Sequence, residues 1–308
     1  MTNTVLAPGK AMLIGEYAVL RGAPAVVAAV SVYARATLLG PAATSAFIEA
    51  AVVETKRELG TRLPTGLPFP VVDTSAFLQQ GRKLGVGSSA AATVAAVGAL
   101  FVAAGLGLDS PAVREQVFAV AKRAHDSAQR MQGSGADLWA AVHGGVRVIG
   151  LGQPDSALEK RPLPALIRFV ATSQSCSTSG VLVRLSEAKG AAERPIATLA
   201  AAAHLFLQAW KNDDAAALCA AVEQTQGGYA ELGCALQRDL LTQELCEICE
   251  AARQAGGAAK PSGAGGGDLA VAFFPNDQAA QRFDERVKTL ALGVSPVGLH
   301  VEADKQTA

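Results

Sequence analysis

The chain has 308 residues, half of them hydrophobic, enough to bury a real core in one large or two ordinary domains. Its 27 Lys and Arg balance 27 Asp and Glu, so no global field draws it to nucleic acid or to a membrane surface, and any anion site must be local. Five cysteines, an odd number, and a start without an apolar leader make a reducing cytoplasm the expected location.

"TVLAPGKAMLIGEYAV" opens with short apolar runs broken by Pro8, Gly9 and Gly15, and "SVYARATLL" alternates as a strand does. An amphipathic helix is expected from about Ala43 to Gly60, then a turn-rich stretch and a strand at Phe69 to Asp73. Leu84 to Leu108 carries no charge and is long enough to cross a bilayer, but its alanine and glycine content and polar front end predict a buried helix in a globular domain. A second helix starts at Asp109 or Ser110 with Pro111 in its first turn and stops at "GSG". Strands are expected at "GVRVIGL" and "LIRFVAT", with Gln153 to Pro164 between them as the domain boundary, giving domains at 1–160 and 165–308. Helical periodicity then runs from Ser179 to about Gly256. The chain closes as strand ("DLAVAFF"), helix (Gln278 to Thr289) and strand ("GVSPVGLHVE"). The class is α+β.

Three stretches of small residues stand out. In "GVGSSAA", Gly85 and Gly87 let the backbone turn and approach a ligand, while Ser88 and Ser89 add hydroxyls where a helix start leaves amides unpaired and partly positive. The stretch alone suits a phosphate cradle or a loop capping a buried helix equally. The Walker A pattern is absent, since Gly9-Lys10 is followed by Ala11. Gly85, Gly87 and Ala90 match the dinucleotide fingerprint of a dehydrogenase, yet "LQQGRK" precedes them where a β-branched strand belongs. In "KPSGAGGGD", four glycines (Gly263, Gly265, Gly266, Gly267) in five positions weaken any regular element and point to close approach of a ligand. In "APGKAMLIGEYAV", Lys10 and Glu16 interrupt an apolar segment.

Taken in order, these three motifs resemble those of the family that joins galactokinase, homoserine kinase, mevalonate kinase and phosphomevalonate kinase, the GHMP kinases. That resemblance implies a two-domain fold: an N-terminal α/β domain like ribosomal S5 domain 2, a C-terminal ferredoxin-like α+β domain, and a cleft between them. It implies ATP at Gly85, Val86, Gly87, Ser88, Ser89 and Ala90, and a small-molecule acceptor, with no nucleic acid or membrane partner. Monomer and homodimer both stay open.

"AHDSAQRMQGSGADLWAAVHGG" looks like the family segment that delivers a catalytic aspartate, here Asp137, with Lys10 as its cationic partner. Asp126 falls where mevalonate kinases place a magnesium ligand, so with Ser89 it would hold Mg2+ between the phosphates; an ordinary ion-pair role is the alternative. "GEYAV", "GSGAD" and the aspartate of "KPSGAGGGD" look more like phosphomevalonate kinases than mevalonate kinases. Against this, "RGAPAVVAAV" suits a mevalonate kinase, Val86 replaces the usual leucine, and a Gly-Trp-Thr-Gly stretch is missing near "ATSQSCSTSG". On this reading Glu16, Tyr17, Ser134, Ser262, Gly263, Ala264 and Gly265 line the acceptor site. Lys83, Arg130, Arg147 and Lys260 would offset the two meeting anions. A catalytically silent ATP-binding sensor of the same fold is the reading from another class.

The pair Cys246 and Cys249 has metal-ligand spacing inside a helical pattern with no second pair, and reads as core thiols. Trp139 and Trp210 read as packing residues, and among the histidines only His125, beside Asp126, is expected near the site.

Overall fold

The computed structural model describes residues 3–41, 45–130, 133–150, 158, 160–176 and 178–302. Its first half is built on an antiparallel sheet. Strand β1 (Val5–Ile14) is flanked by β2 (Ala25–Leu38) and by β10 (His300–Val301). The far edge of β2 is shared: β3 (Pro70–Asp73) pairs with its Arg35 to Leu38 end, and β6 (Val146–Ile149) with its Ala25 to Ala28 end. Val5 pairs with both Ala36 and Val301, which places β1 at the centre, buried along almost its whole length.

Helix α1 (Ala46–Leu59) begins three residues after the expected start, and residues 42–44 lie outside the described residues. The uncharged stretch forms α2 (Ser88–Ala103), apolar around its circumference and buried against β1, β2, α1, α3 (Pro111–Gln129) and α4 (Ala136–His143). Among the described residues no helix is long and apolar enough to cross a membrane. Ser110 holds the N-cap position of α3 without a side-chain capping bond.

The second half carries a three-stranded antiparallel sheet in the order β7 (Leu166–Ala171), β9 (Leu269–Phe274), β8 (Ala258–Pro261). Between β7 and β8 the chain is helical, as its periodicity indicates: α5 (Thr178–Glu187), α6 (Glu193–Lys211), α7 (Ala215–Leu236) and α8 (Gln243–Ala255). Asp214 and Thr242 cap α7 and α8 by accepting from Ala217 and Leu245 amides. Half of the expected boundary segment, residues 153–157 and 159, lies outside the described residues. One apolar cluster runs from Val5, Leu13 and Val26 through Val94 to Phe169, Phe206, Trp210 and Phe273, joining the two sheets.

Two expectations for the C-terminal stretch are corrected. Helix α9 covers Asp277–Asp284 and ends before Thr289, because the chain leaves it so that the Leu290 N–H can pair with the Phe169 carbonyl. "GVSPVGLHVE", expected as a closing strand, is one only over its last residues. Val294 bridges to Val30 and only His300–Val301 forms a strand, on β1 of the first sheet. Pro296 and the tight passage of Gly298, where a Cβ would lie 2.2 Å from the Val142 carbonyl, interrupt regular pairing between them.

Candidate active site

Where the two halves meet lies a cavity of about 390 Å³, within the size range of small-molecule sites. All three glycine-bearing motifs reach it. From the first come Lys10, Glu16 and Tyr17; from the second Lys83, Gly85, Val86, Gly87, Ser88 and Ser89; from the third Gly263, Ala264 and Asp268. His125, Asp126, Ser134 and Asp137 complete the polar wall, and Met12, Phe77 and Leu182 add apolar surface.

The sequence makes this convergence locally. Lys10 sits mid-strand on β1, and its amide donates to the Val86 carbonyl at 2.8 Å, which draws the second motif onto the first. Gly9 permits that approach, since a Cβ there would lie 2.7 Å from the Val86 carbonyl. Gly87 adopts φ +76° as the N-cap of α2, and Gly85 adopts φ +69°. Both make room for protein as well as for a ligand: a Cβ on Gly85 would come within 2.5 Å of Asp268 Cβ, and one on Gly87 within 3.0 Å of Lys10 Cγ.

Asp137 occupies the first turn of α4, after Gly135 at φ +75°, and its Oδ1 accepts the Leu138 amide at 2.9 Å. A carboxylate is favoured there by the helix start. On α3, Asp126 pairs with Lys122 and accepts the Gly133 amide at 3.2 Å. His125, 3% exposed, places Nε2 3.3 Å from Ser89 Oγ, and burial holds its pKa below the ordinary histidine value. The hydroxyl of Ser89 and the carboxylate of Asp126 thus face one cavity, a donor set that fits Mg2+ when phosphate oxygens and water supply the rest.

The third loop is clamped on its carbonyl side. Tyr17 donates to the Ala264 carbonyl and Tyr229 to the Gly263 carbonyl at 2.9 Å, the two rings meeting edge to face. Asp268, at φ +61°, accepts from Ser175 Oγ at 2.8 Å and from the Cys176 amide at 3.3 Å, fixing the segment after β7.

Six residues expected at the site are placed elsewhere. Lys260 has no solvent exposure; its ammonium is bound by Glu16 and by the Pro261 carbonyl, so it faces no acceptor. Arg130 ends α3 in a left-handed conformation and is not on the cavity wall, and Arg147, on β6, reaches the His143 carbonyl at 3.5 Å instead. Ala90 is fully buried inside α2. Ser262 donates to the Met12 carbonyl, and Gly265 packs on Leu240 and Tyr229. Among the described residues, the lysines on the wall are Lys10 and Lys83, facing Glu16, Asp126, Asp137 and Asp268.

Asp268, which the sequence marks only as a feature of subclass, lies on the wall, and a charged residue closing a glycine run at the foot of an apolar strand is the signal that points to it. Leu182 and Phe77 carry no such signal. Cys246 is exposed and Cys249 buried on α8, and no group of three or more metal-ligating side chains occurs among the described residues. Trp210 is buried, and Trp139 meets Phe118 edge to face and packs tilted against His143.

A sequence model described as the GHMP kinases N terminal domain matches residues 46–145, and one described as GHMP kinases C terminal matches residues 205–290. A phosphomevalonate kinase of Streptomyces sp. (strain CL190) is 26% identical, with 95% of each chain covered. Among solved structures, the Lin0012 protein of Listeria innocua superposes with a TM-score of 0.81 at 23% identity over 97% of this chain and 99% of its own. Streptococcus pneumoniae phosphomevalonate kinase in complex with phosphomevalonate and AMPPNP gives 0.77 at 20% identity over 94% and 99%. At these identities the structural likeness speaks for the fold.

Proposed function

This chain belongs to the GHMP kinases, and from that premise we propose that it transfers the γ-phosphoryl group of ATP to 5-phosphomevalonate, giving ADP and 5-diphosphomevalonate. The observation that carries the reading is the convergence of Lys10, Asp137, the start of α2 and the Gly263–Ala264 turn on one cavity. The names of the relatives favour the same acceptor.

Phosphoryl transfer needs its two oxygens in line and the spreading negative charge neutralised, so positioning and cations supply most of the catalysis. The unpaired amides and hydroxyls at Ser88 and Ser89 receive the nucleotide phosphates, with Gly85, Val86 and Gly87 supplying the backbone that lets them in. Lys10 stands beside them. The bond from the γ-phosphorus to the β-bridging oxygen breaks as one forms to an oxygen of the acceptor phosphate. A phosphate monoester has a second pKa of about 6 and arrives largely deprotonated, so no proton need be removed; Asp137 shares the cavity wall with Lys10, forms no ion pair with it among the described residues, and acts there through its charge. Lys83 and Ser134 face the acceptor phosphate, and Glu16, Tyr17, Gly263 and Ala264 shape its pocket. Ser89 and Asp126 would hold Mg2+, which offsets phosphate charge when bound.

One observation favours mevalonate as the alternative acceptor: with Arg130, Arg147 and Lys260 away from the wall, few cations remain to hold two phosphates together. A coupled ADP-release assay across mevalonate, phosphomevalonate, homoserine and galactose, with and without Mg2+, separates these readings. Magnesium-dependent turnover of phosphomevalonate is expected. Turnover of mevalonate alone selects the alternative, and silence on every acceptor removes the kinase reading in favour of a nucleotide-binding sensor.

A further inference from the structure

Glu16 lies two residues past the end of β1 and Lys260 near the end of β8, 244 positions apart, and they meet as an ion pair removed from water. Lys260 Nζ stands 2.5 Å from Glu16 Oε1 with side-chain exposures of 0% and 5%. The same Oε1 accepts the Gly263 amide at 3.0 Å, so one carboxylate oxygen holds both the buried ammonium and the first glycine of the third loop. Lys260 donates again to the Pro261 carbonyl at 2.6 Å and lies 6.0 Å from the centre of the Tyr229 ring. Tyr229 in turn donates to the Gly263 carbonyl.

The arrangement raises a physical question. Glu16 is on the wall of a cavity that must accept polyanions, and a bare carboxylate there repels them. In surroundings of low effective dielectric such a charge acts over several ångströms. Lys260 has no contact with the cavity, so it cannot bind an acceptor directly; its charge is committed to Glu16.

We propose that Lys260 is a positioning residue for phosphoryl transfer: by pairing with Glu16 it cancels a negative charge on the cavity wall and fixes the oxygen from which the Gly263–Ala264 turn hangs. This deepens the kinase reading above and rests on it. Removing Lys260 alone leaves Glu16 both uncompensated and free to turn, whereas removing both charges restores a neutral wall. A buried pair broken on one side costs far more than one replaced on both.

The test compares the wild-type protein, Lys260→Met, Glu16→Gln and the double substitution. MgATP affinity is measured by calorimetry at pH 8, at a temperature where circular dichroism shows all four folded. Lys260→Met is expected to weaken MgATP binding on the order of tenfold, a size in keeping with one unit charge several ångströms away at an effective dielectric near 20. The double substitution is expected to recover most of that loss, and Glu16→Gln to lower kcat through a looser third loop without weakening MgATP binding. A purely structural pair would instead shift melting temperatures and leave the affinity of folded protein unchanged, which overturns the proposal, as does a folded double variant that binds as poorly as Lys260→Met. Should Lys260→Met fail to fold, Lys260→Gln, which keeps a donor to Glu16 but no charge, carries the same comparison with Glu16→Gln/Lys260→Gln beside it. If wild-type protein binds MgATP yet phosphorylates no acceptor, the kinase reading fails while the affinity pattern still decides the role of Lys260. Wild-type protein that binds no MgATP overturns both.

Discussion

Gly87 and Lys10 share one space: the Lys10 side chain runs along the face where a residue-87 Cβ would project, 3.0 Å from Cγ and 3.3 Å from Cε. Gly87 also holds φ +76°, so its missing side chain serves the backbone and the lysine together.

Gly87→Ala should therefore disturb activity beyond its effect on stability. A non-glycine residue in the left-handed region costs roughly 1–2 kcal/mol, and displacing Lys10, if it acts as proposed, by about 1 Å lowers kcat on the order of a hundredfold. Gly105→Ala is the control, because Gly105 holds φ +79° with nothing near its absent Cβ. Denaturant unfolding is expected to show similar destabilisation for both, with kcat lost only at Gly87. Equal kcat in the two variants would show that Lys10 does not depend on this contact.

Asp137→Asn keeps the shape of the first turn of α4 and the acceptor for the Leu138 amide while removing the charge. With an alcohol acceptor, general-base assistance is lost, about 10²–10⁴-fold in kcat. With a phosphate acceptor no proton need be removed, and the loss is expected to be smaller, around tenfold, from the changed charge on the wall that Asp137 shares with Lys10. Steady-state kinetics on mevalonate and phosphomevalonate side by side check this. Equal, mild losses on both would deny Asp137 a catalytic role.

Asp268→Asn tests whether the segment after β7 belongs to the acceptor pocket. Asparagine tolerates the left-handed φ of +61°, so the backbone is spared, but the charged acceptor for Ser175 and Cys176 is gone. Weakening one charge-assisted bond by about 1.5 kcal/mol corresponds to a rise of roughly tenfold in acceptor KM. The KM for ATP should move little. An unchanged acceptor KM would confine Asp268 to packing against Gly85.

The local elements were legible because their causes are local. A charge-free, alanine-rich stretch with a polar front end points to a helix buried on all sides more than to a span, and α2 is that; the glycine loops announced themselves by density. The site was legible as a set of loops, since Lys10, Glu16, Asp137, Ser89 and Gly263 each stand within a short distinctive stretch. Side-chain direction was not. Arg130 lies near the Asp137 segment along the chain, yet it ends α3 in a left-handed turn off the cavity wall, and Arg147 sits on β6 with its guanidinium reaching a backbone carbonyl. Long-range pairing was equally hidden. Neither the bond between Glu16 and Lys260 nor the return of His300–Val301 to β1 leaves a trace in any window of sequence, because each is decided by how the two sheets dock. The role of Gly85 and Gly87 was half visible: the need for room was plain, but Asp268 and Lys10 as its occupants were not.

His143 supplies a pH dependence of stability that is separate from catalysis. Burial first, then the charges of Arg147 and Arg114, push its pKa down to about 4 from an ordinary value of 6.5, and its Nε2 accepts no hydrogen bond among the described residues. Glu115 stands 3.5 Å away, but its carboxylate is largely exposed and well solvated, so it offsets only part of the cost of burial. Between pH 6.5 and about 4 the unfolded chain binds a proton that the folded chain does not, so stability falls as pH is lowered through this window. At 1.36 kcal/mol per pKa unit the contribution is at most on the order of 3 kcal/mol, present above pH 6.5 and gone below pH 4. Urea unfolding at a series of pH values should show this slope in the wild-type protein and a flatter one in His143→Phe, which keeps a ring against Trp139 and Phe118. If both proteins lose stability in parallel over that window, the proton responsible is taken up by another group.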